Sequence, residues 1–373
     1  MKRIVCALLC VACCMGVCHG VEVVAPSAIL MEKETGTILY AKDEHTPREP
    51  ASVTKVMTLL LVMEAIDAGQ LAYDDLLTAS DYASSMGGSQ IWLETGEVMS
   101  VSDMLKAVCV VSANDCAVAL AEAVAGSESA FVEKMNLRAQ ELGMADTLFQ
   151  NATGLPADDH YTSAYDIAIM SRELILNHPD LRQYTTIWMD TLRDGTSELS
   201  NTNRLIYTYE GATGLKTGST STALYCLSAT AERDGMELIA VVMQSPTSAQ
   251  RLSDVTALLN EGFANYALEQ IVPEQAIAPV AVTLGKQDTV QGVLEGETAL
   301  LLEKAQTSNL LQEITLVEGV EAPIAQGDIL GTLTVTADGE VVAEFPIVAG
   351  ETVGRLTWWD MVVNVGRMAV LGK

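Results

Sequence analysis

The run GLKTGSTSTALYCLSATAERDGMELIAVVMQ, from Gly214 to Gln244, decides the fold. Residues 215–218, 224–231 and 237–244 read as successive strands, rich in β-branched and apolar residues. The last two are joined by the turn formers Arg233-Asp234-Gly235, and a helix is expected over about 249–266. Far upstream, Ala28-Ile29-Leu30-Met31 and Thr37-Ile38-Leu39-Tyr40 flank the turn Lys33-Glu34-Thr35-Gly36 and read as two more strands. What lies between is helical in pattern. An apolar helix is expected over 54–68, closed by Gly69, then helical stretches over 102–125 and 129–142. Ser163, with Asp166 three residues on, opens another helix that His178-Pro179 ends. Strands at both ends of a helical segment predict an α+β fold: one antiparallel sheet with helices packed on it.

The texture changes near Glu269 to Pro273. From there to Ile347 the chain consists of short Val/Ile/Leu/Thr runs split by Gly, Pro and acidic turns, with Lys286 and Lys304 its basic residues. A small acidic all-β domain is expected over 270–347, following a catalytic domain over 21–269. Residues 348–373 are assigned to an amphipathic C-terminal helix, whose helical period covers 351–373. Asp360, Asn364 and Arg367 share one stripe of it, while Trp358, Trp359, Met361, Val362, Val365, Met368 and Ala369 cover the rest. Two readings stay open: a helix docked on its own protein, or one lying in a membrane interface, where indoles are favoured.

The 373 residues are 49% hydrophobic and 19% charged, enough to bury a large core. A formal charge of −28 repels phosphate backbones and argues against nucleic-acid binding. Lys2 and Arg3 precede an apolar run over 4–17 and the small-residue exit Cys18-His19-Gly20, so residues 1–20 read as an export signal. Five of the eight cysteines lie in it, leaving Cys109, Cys116 and Cys226. That number does not suit a disulfide scaffold, and buried small hydrophobes are expected. Without a C-x-x-C pair, and with only four histidines, no metal site and no cofactor is expected.

Three short motifs carry the chemistry. Ser52-Val53-Thr54-Lys55 spaces a hydroxyl and an amine by three at a helix start, which places them on one face. An uncharged amine there can take the serine proton, but free lysine titrates near ~10.4, so Lys55 must be desolvated or crowded by a cation. Ser112-Ala113-Asn114 offers a hydroxyl and an amide that could project from between helices into a cleft, Ser112 to pass protons and Asn114 to hold a substrate amide. Lys216-Thr217-Gly218 supplies the crowding ammonium, a hydroxyl for a substrate carboxylate, and a glycine that lets a ligand approach the backbone. Each motif alone is compatible with a plain structural role. The grouping of the three is a known one for penicillin-binding proteins and class A β-lactamases.

Longer strings extend the match: Ala51-Ser52-Val53-Thr54-Lys55-Val56-Met57-Thr58, Ser112-Ala113-Asn114-Asp115, Asn151-Ala152-Thr153-Gly154-Leu155-Pro156, His160-Tyr161-Thr162-Ser163-Ala164-Tyr165-Asp166 and Gly214-Leu215-Lys216-Thr217-Gly218. With them the chain resembles the serine D-alanyl-D-alanine carboxypeptidases, the low-molecular-mass penicillin-binding proteins, over nearly its whole length. Ala113, where many relatives have glycine, is a small departure. The resemblance implies that Ser52 attacks the carbonyl between two terminal D-alanines of a peptidoglycan stem peptide. It makes Lys55 the general base and Ser112 the proton relay, with backbone N–H groups of Ser52 and Ser219 as the oxyanion hole. Penicillins would acylate Ser52 and leave slowly, and the protein would act after export, at the outer face of the cytoplasmic membrane or in the cell wall space. Arg251 sits where the family often has a basic residue for the substrate carboxylate; the other reading is a helix-surface arginine. His160 and Asp166 are expected in loop and cap roles.

Other activities share the scaffold. A β-lactamase needs a carboxylate for its deacylating water, and Glu173-Leu174-Ile175-Leu176-Asn177 spells the class A string. It falls mid-helix, where Glu173 should be solvated, so it is read as coincidence. A transpeptidase differs only in the acceptor, and a penicillin-sensing or wall-binding protein would have a decayed site.

Overall fold

The computed structural model describes residues 20–296 and 298–363. These part into two compact units between Ala264 and Asn265. In the first, strands β1 (Ser27–Glu32) and β2 (Ile38–Lys42) join β5 (Ala212–Thr220), β6 (Leu224–Arg233) and β7 (Met236–Ser245). Here β3 (Met189–Leu192) and β4 (Ser197–Ser200) form a separate hairpin. The five-stranded sheet runs β2-β1-β7-β6-β5 and every pairing in it is antiparallel. Chain ends more than 180 residues apart thus meet at β1 and β7, with Ile29 opposite Val241. β5 is left at an edge, with one side of its backbone free of sheet partners.

Helices α1 (Lys55–Asp67), α2 (Val101–Val111), α3 (Asn114–Ala125), α4 (Glu128–Glu141) and α5 (Ala164–Asn177) form the helical middle, and α6 (Ser248–Asn265) follows β7. α1 is buried almost all round, from Lys55 through Met63, which makes it the central post of this unit. A 3-10 turn over Ala51–Thr54 precedes it, so the regular helix begins one residue later than its pattern suggested. The helical stretch expected over 102–125 is two helices, divided at the Ser112-Ala113-Asn114 motif. Ser112 takes a left-handed φ of 64° that ends α2, and Asn114 opens α3 after extended Ala113. Both helices bury apolar faces, so hydrophobic period alone does not reveal the break. Ser163 caps α5 by accepting from the Asp166 N–H, as its spacing indicated.

The second unit is built of short strands. Its largest sheet is four-stranded, in the order Gly292–Leu294, Glu340–Ala349, Ile329–Ala337, Leu310–Leu316. Its core gathers Val280, Val290, Leu330, Leu333, Val335 and Ile347. The helix expected from 351 begins later, because Val353 is buried and bridges to Ile324 while Arg355 bridges to Gly285. Thr357 caps a helical run over 358–363 by accepting from Asp360 N–H. Asn364, Val365, Arg367, Met368 and Ala369 lie outside the described residues, as do positions 1–19 of the export signal expected over 1–20. No helix among the described residues is long and apolar enough to cross a membrane.

Gly262 of α6 marks a close helix-to-sheet contact. A Cβ there would lie 2.5 Å from Leu238 Cδ1 and 3.0 Å from Leu30 Cδ2. Gly262→Leu should therefore lower stability by about 2–3 kcal/mol through overpacking, outweighing the ~1 kcal/mol of helix propensity gained. Denaturant melts of the two proteins check this.

Candidate active site

Three elements converge on the Ser52 backbone. The first is the 3-10 turn itself, entered through Ala51 at a left-handed φ of 47°. The second is β5: a Cβ on Gly218 would stand 2.6 Å from Pro50 O and 3.0 Å from Ser52 N. The third is the loop after Asn151, where a Cβ on Gly154 would fall 1.8 Å from Ala51 O. Glycine is required at both positions by close approach of backbone to backbone. Asn151 shapes its loop by accepting from the Thr153 and Gly154 N–H groups.

Lys55 reaches back along the first turn of α1, and its Nζ lies 3.1 Å from Ser52 Oγ. The same nitrogen donates to Asn114 Oδ1 at 2.5 Å and to Thr153 O at 2.7 Å. Asn114 is held in turn, its Nδ2 donating to Gly87 O at 2.6 Å and its backbone N–H to Ser89 O. The Lys55 amine is wholly buried. Desolvation, and then the Lys216 charge, hold its pKa well below 10.5, with Asp115 opposing. Burial also pulls Lys216 down, to about 7, assisted by Arg251. Its Nζ donates only to Thr217 O among the described residues.

Ser112 sits at the break between α2 and α3, and its buried Oγ has no hydrogen-bond partner among the described residues. Thr217 Oγ1 donates to Thr202 Oγ1 at 2.7 Å. Ser219 follows on β5, exposed and opposite Tyr225. Arg251 is not a surface arginine. Its guanidinium turns toward the sheet, with Nη1 3.3 Å from Cys226 O and 3.5 Å from Gly218 O, over the Tyr225 ring. The structure thus gathers Ser52, Lys55 and Asn114 by direct contact, and brings Lys216, Thr217, Gly218 and Arg251 to the strand beside them.

His160 lies behind the Ser52 turn, in contact with Thr54. Its Nδ1 accepts from Gln150 N–H, which leaves Nε2–H to donate to Thr54 Oγ1 at 2.8 Å. Burial pushes its pKa down to about 4, so it stays a neutral strut at ordinary pH. Asp166 accepts from Asp146 N–H and Thr147 Oγ1. Glu173 differs from expectation: it is half-buried and accepts from Arg138 at 2.6 Å, which binds Glu64 as well. A carboxylate committed to that ion-pair network, tying α4 to α1 and α5, is not a water activator. Cys109, Cys116 and Cys226 are buried free thiols.

Sequence reasoning did not foresee Thr153 O, Gly154, Thr202 or the Gly87–Asn114 contact. Most of these act through backbone atoms, on which residue type gives little direct signal.

Comparison with known proteins fits this geometry. Residues 16–247 match the family model for D-alanyl-D-alanine carboxypeptidase, and residues 269–355 match that for the penicillin-binding protein 5 C-terminal domain. The D-alanyl-D-alanine carboxypeptidase DacF of Bacillus subtilis is 44% identical over 88% of this chain and 85% of its own length. Penicillin-binding protein 5 from Haemophilus influenzae superposes with a TM-score of 0.80 at 30% identity, over 90% of this chain and 99% of its own. Penicillin-binding protein D2 from Listeria monocytogenes, solved in a cefotaxime-bound form, gives 0.60 at 32% identity over 65% of this chain and 99% of its own. Matched from the nucleophile turn through the β-rich unit, the chain belongs to the D-alanyl-D-alanine carboxypeptidase family, among the low-molecular-mass penicillin-binding proteins.

Proposed function

We propose that this chain removes the terminal D-alanine from peptidoglycan stem peptides through an acyl-enzyme on Ser52, and that penicillins acylate the same oxygen. The observation that carries this reading is the buried Lys55 Nζ, 3.1 Å from Ser52 Oγ. A neutral amine has two N–H groups, and Asn114 Oδ1 and Thr153 O accept them. The lone pair is then left for the Ser52 proton.

The steps follow from that pairing. Ser52 Oγ bonds to the carbonyl carbon between the two D-alanines as its proton passes to Lys55 Nζ. Backbone N–H groups of Ser52 and Ser219 take the developing oxyanion. On collapse the peptide C–N bond breaks, and Ser112 passes the Lys55 proton to the departing amine. The unpartnered Ser112 Oγ suits a relay whose partner arrives with substrate. Water then attacks the ester, with Lys55 again receiving the proton, and Ser52 is released. The free edge of β5 offers main-chain groups to an extended peptide. Lys216, Thr217 and Arg251 give its terminal carboxylate a cationic, hydroxyl-bearing end, with Asn114 toward the substrate amide.

Action outside the cytoplasm follows from the substrate, and the basic, apolar start of the chain suits export. Trp358 and Trp359, 67% and 69% exposed at the head of the terminal helix, support contact with a membrane surface. The full chain should co-sediment with phosphatidylcholine vesicles, and the Trp358→Ala/Trp359→Ala variant should stay in the supernatant. A wild-type chain left in solution sinks the membrane contact.

Ser52→Ala should abolish D-alanine release, by at least ~10³-fold, and prevent a penicillin mass adduct while leaving the melting curve unchanged. Release of D-alanine by that variant, or an adduct on another residue, removes Ser52 from the role. Lys55 works as a base only when neutral, so kcat/KM should fall as pH drops through its lowered pKa. Lys216→Met removes the charge that helps lower it, so the acid limb should move to higher pH while activity falls. Stability should move the other way. Lys216 titrates near 7 when folded against 10.5 unfolded, so the wild-type fold gains stability as pH rises between those values. The methionine variant should escape this cost and be about 1–2 kcal/mol more stable at pH 7. pH-rate profiles and urea melts read both.

A further inference from the structure

Two neighbouring residues at the start of α3 face different sites. Asn114 turns to Lys55, whereas the buried Asp115 carboxylate turns to the loop before α2. Its Oδ2 accepts from Ile91 N–H at 3.1 Å and from Leu93 N–H at 3.0 Å, so one carboxylate oxygen grips the residues on either side of Trp92. Ile91 and Leu93 are anchored in the core, and Trp92 between them is 74% exposed at a left-handed φ of 61°. From the other side, Arg193 on the hairpin of β3 and β4 donates to Ile91 O at 2.9 Å while paired with Glu97 at 2.7 Å.

A bulky residue at positive φ is a strained choice, and an indole in water forgoes burial worth a few kcal/mol. A buried carboxylate and an ion-paired arginine hold this ring in place all the same. It stands on the wall of an open cleft of about 690 Å³ that Glu94, Thr95, Glu97, Arg193 and Ser197 also line. One aromatic face among carboxylates, a guanidinium and hydroxyls is the chemistry of a saccharide site. The C–H face of a pyranose meets the negative face of the ring, and sugar hydroxyls and amides bond to the polar rim. Polar walls do not suit an acyl chain, and the −28 net charge opposes nucleic acid.

We propose that the cleft beside Trp92 binds the N-acetylated amino-sugar strand to which the stem peptide is attached. This inference rests on the stem-peptide reading of the Ser52 site. Asn114 and Asp115 are consecutive, with Cα atoms ~3.8 Å apart, so the Ser52 site and the cleft are both tied to the start of α3, and a peptide attached to the strand in one can run to the other. Trp92 is then a specificity residue that separates wall-borne peptide from free peptide.

The test compares full-length wild type, Trp92→Ala and Trp92→Phe on two substrates. One is a free pentapeptide ending in D-Ala-D-Ala; the other is the same pentapeptide on an N-acetylglucosamine–N-acetylmuramic acid disaccharide. Wild type should prefer the disaccharide-borne form by about 10-fold in kcat/KM, mainly through KM. Trp92→Ala should lose that preference while keeping its rate on the free peptide and its rate of penicillin acylation, and Trp92→Phe should keep most of the preference. An equal wild-type rate on both substrates, or a Trp92→Ala loss that is the same on both, overturns the saccharide site. Neither outcome touches the Ser52 reading, which fails separately if wild type releases no D-alanine from either substrate.

Discussion

Two buried lysine amines repel one another, and the site depends on the cost of charging both. Among the described residues no carboxylate pairs with Lys55; an amide oxygen, a carbonyl and a hydroxyl surround it, with Lys216 as the nearby like charge. Desolvation and repulsion act in the same direction, and they turn an ordinarily inert ammonium into an acceptor of protons. Among the described residues, Asp115 is the carboxylate whose charge opposes the shift of Lys55. Asp115 in turn is occupied by three backbone N–H groups, those of Ile91, Leu93 and Cys116.

That arrangement sets what the fold has to do. α1 is buried almost all round, its first residue included, which is why it has no polar face along most of its length. β5 must lie at a sheet edge, so that Lys216 is fixed by pairing on one side while the other stays open. The break between α2 and α3 places a hydroxyl and an amide at the cleft from two helix ends rather than from a loose loop, which fixes both more tightly. His160 braces the turn from behind through Thr54, and its burial holds its pKa at about 4, below the value of about 7 for Lys216.

Much of this was legible in the sequence, for reasons that differ by feature. Ser52 and Lys55 are one helical turn apart, so spacing alone puts them on one face. The strands around Gly214 to Gln244 carry β-branched runs with turn formers between them, and Ser163 and Asp166 spell a cap. The helix break at Ser112 was legible from the Ser112-Ala113-Asn114 motif, read as lying between helices, but not from periodicity, since the apolar period runs straight through it. The start of the terminal helix was not legible, because the pairing of Val353 with Ile324 overrides a local periodicity. Glu173 looked solvated from its helix face, yet Arg138 arrives from α4, an element the local pattern does not contain. Thr153 and Gly154 stand in a quoted string, but their contribution is a carbonyl and a missing methyl, which become visible only in three dimensions.

Gly154 and Gly218 grip the Ala51–Ser52 backbone from opposite elements with no room for a single added carbon. On the role proposed for Ser52, a lineage under antibiotic selection has little freedom to exclude a bulky drug by crowding that serine from these two directions, since the same methyl would displace it from its amine. Resistance arising within this protein has to be sought farther out along the groove, where drug and natural peptide differ in shape.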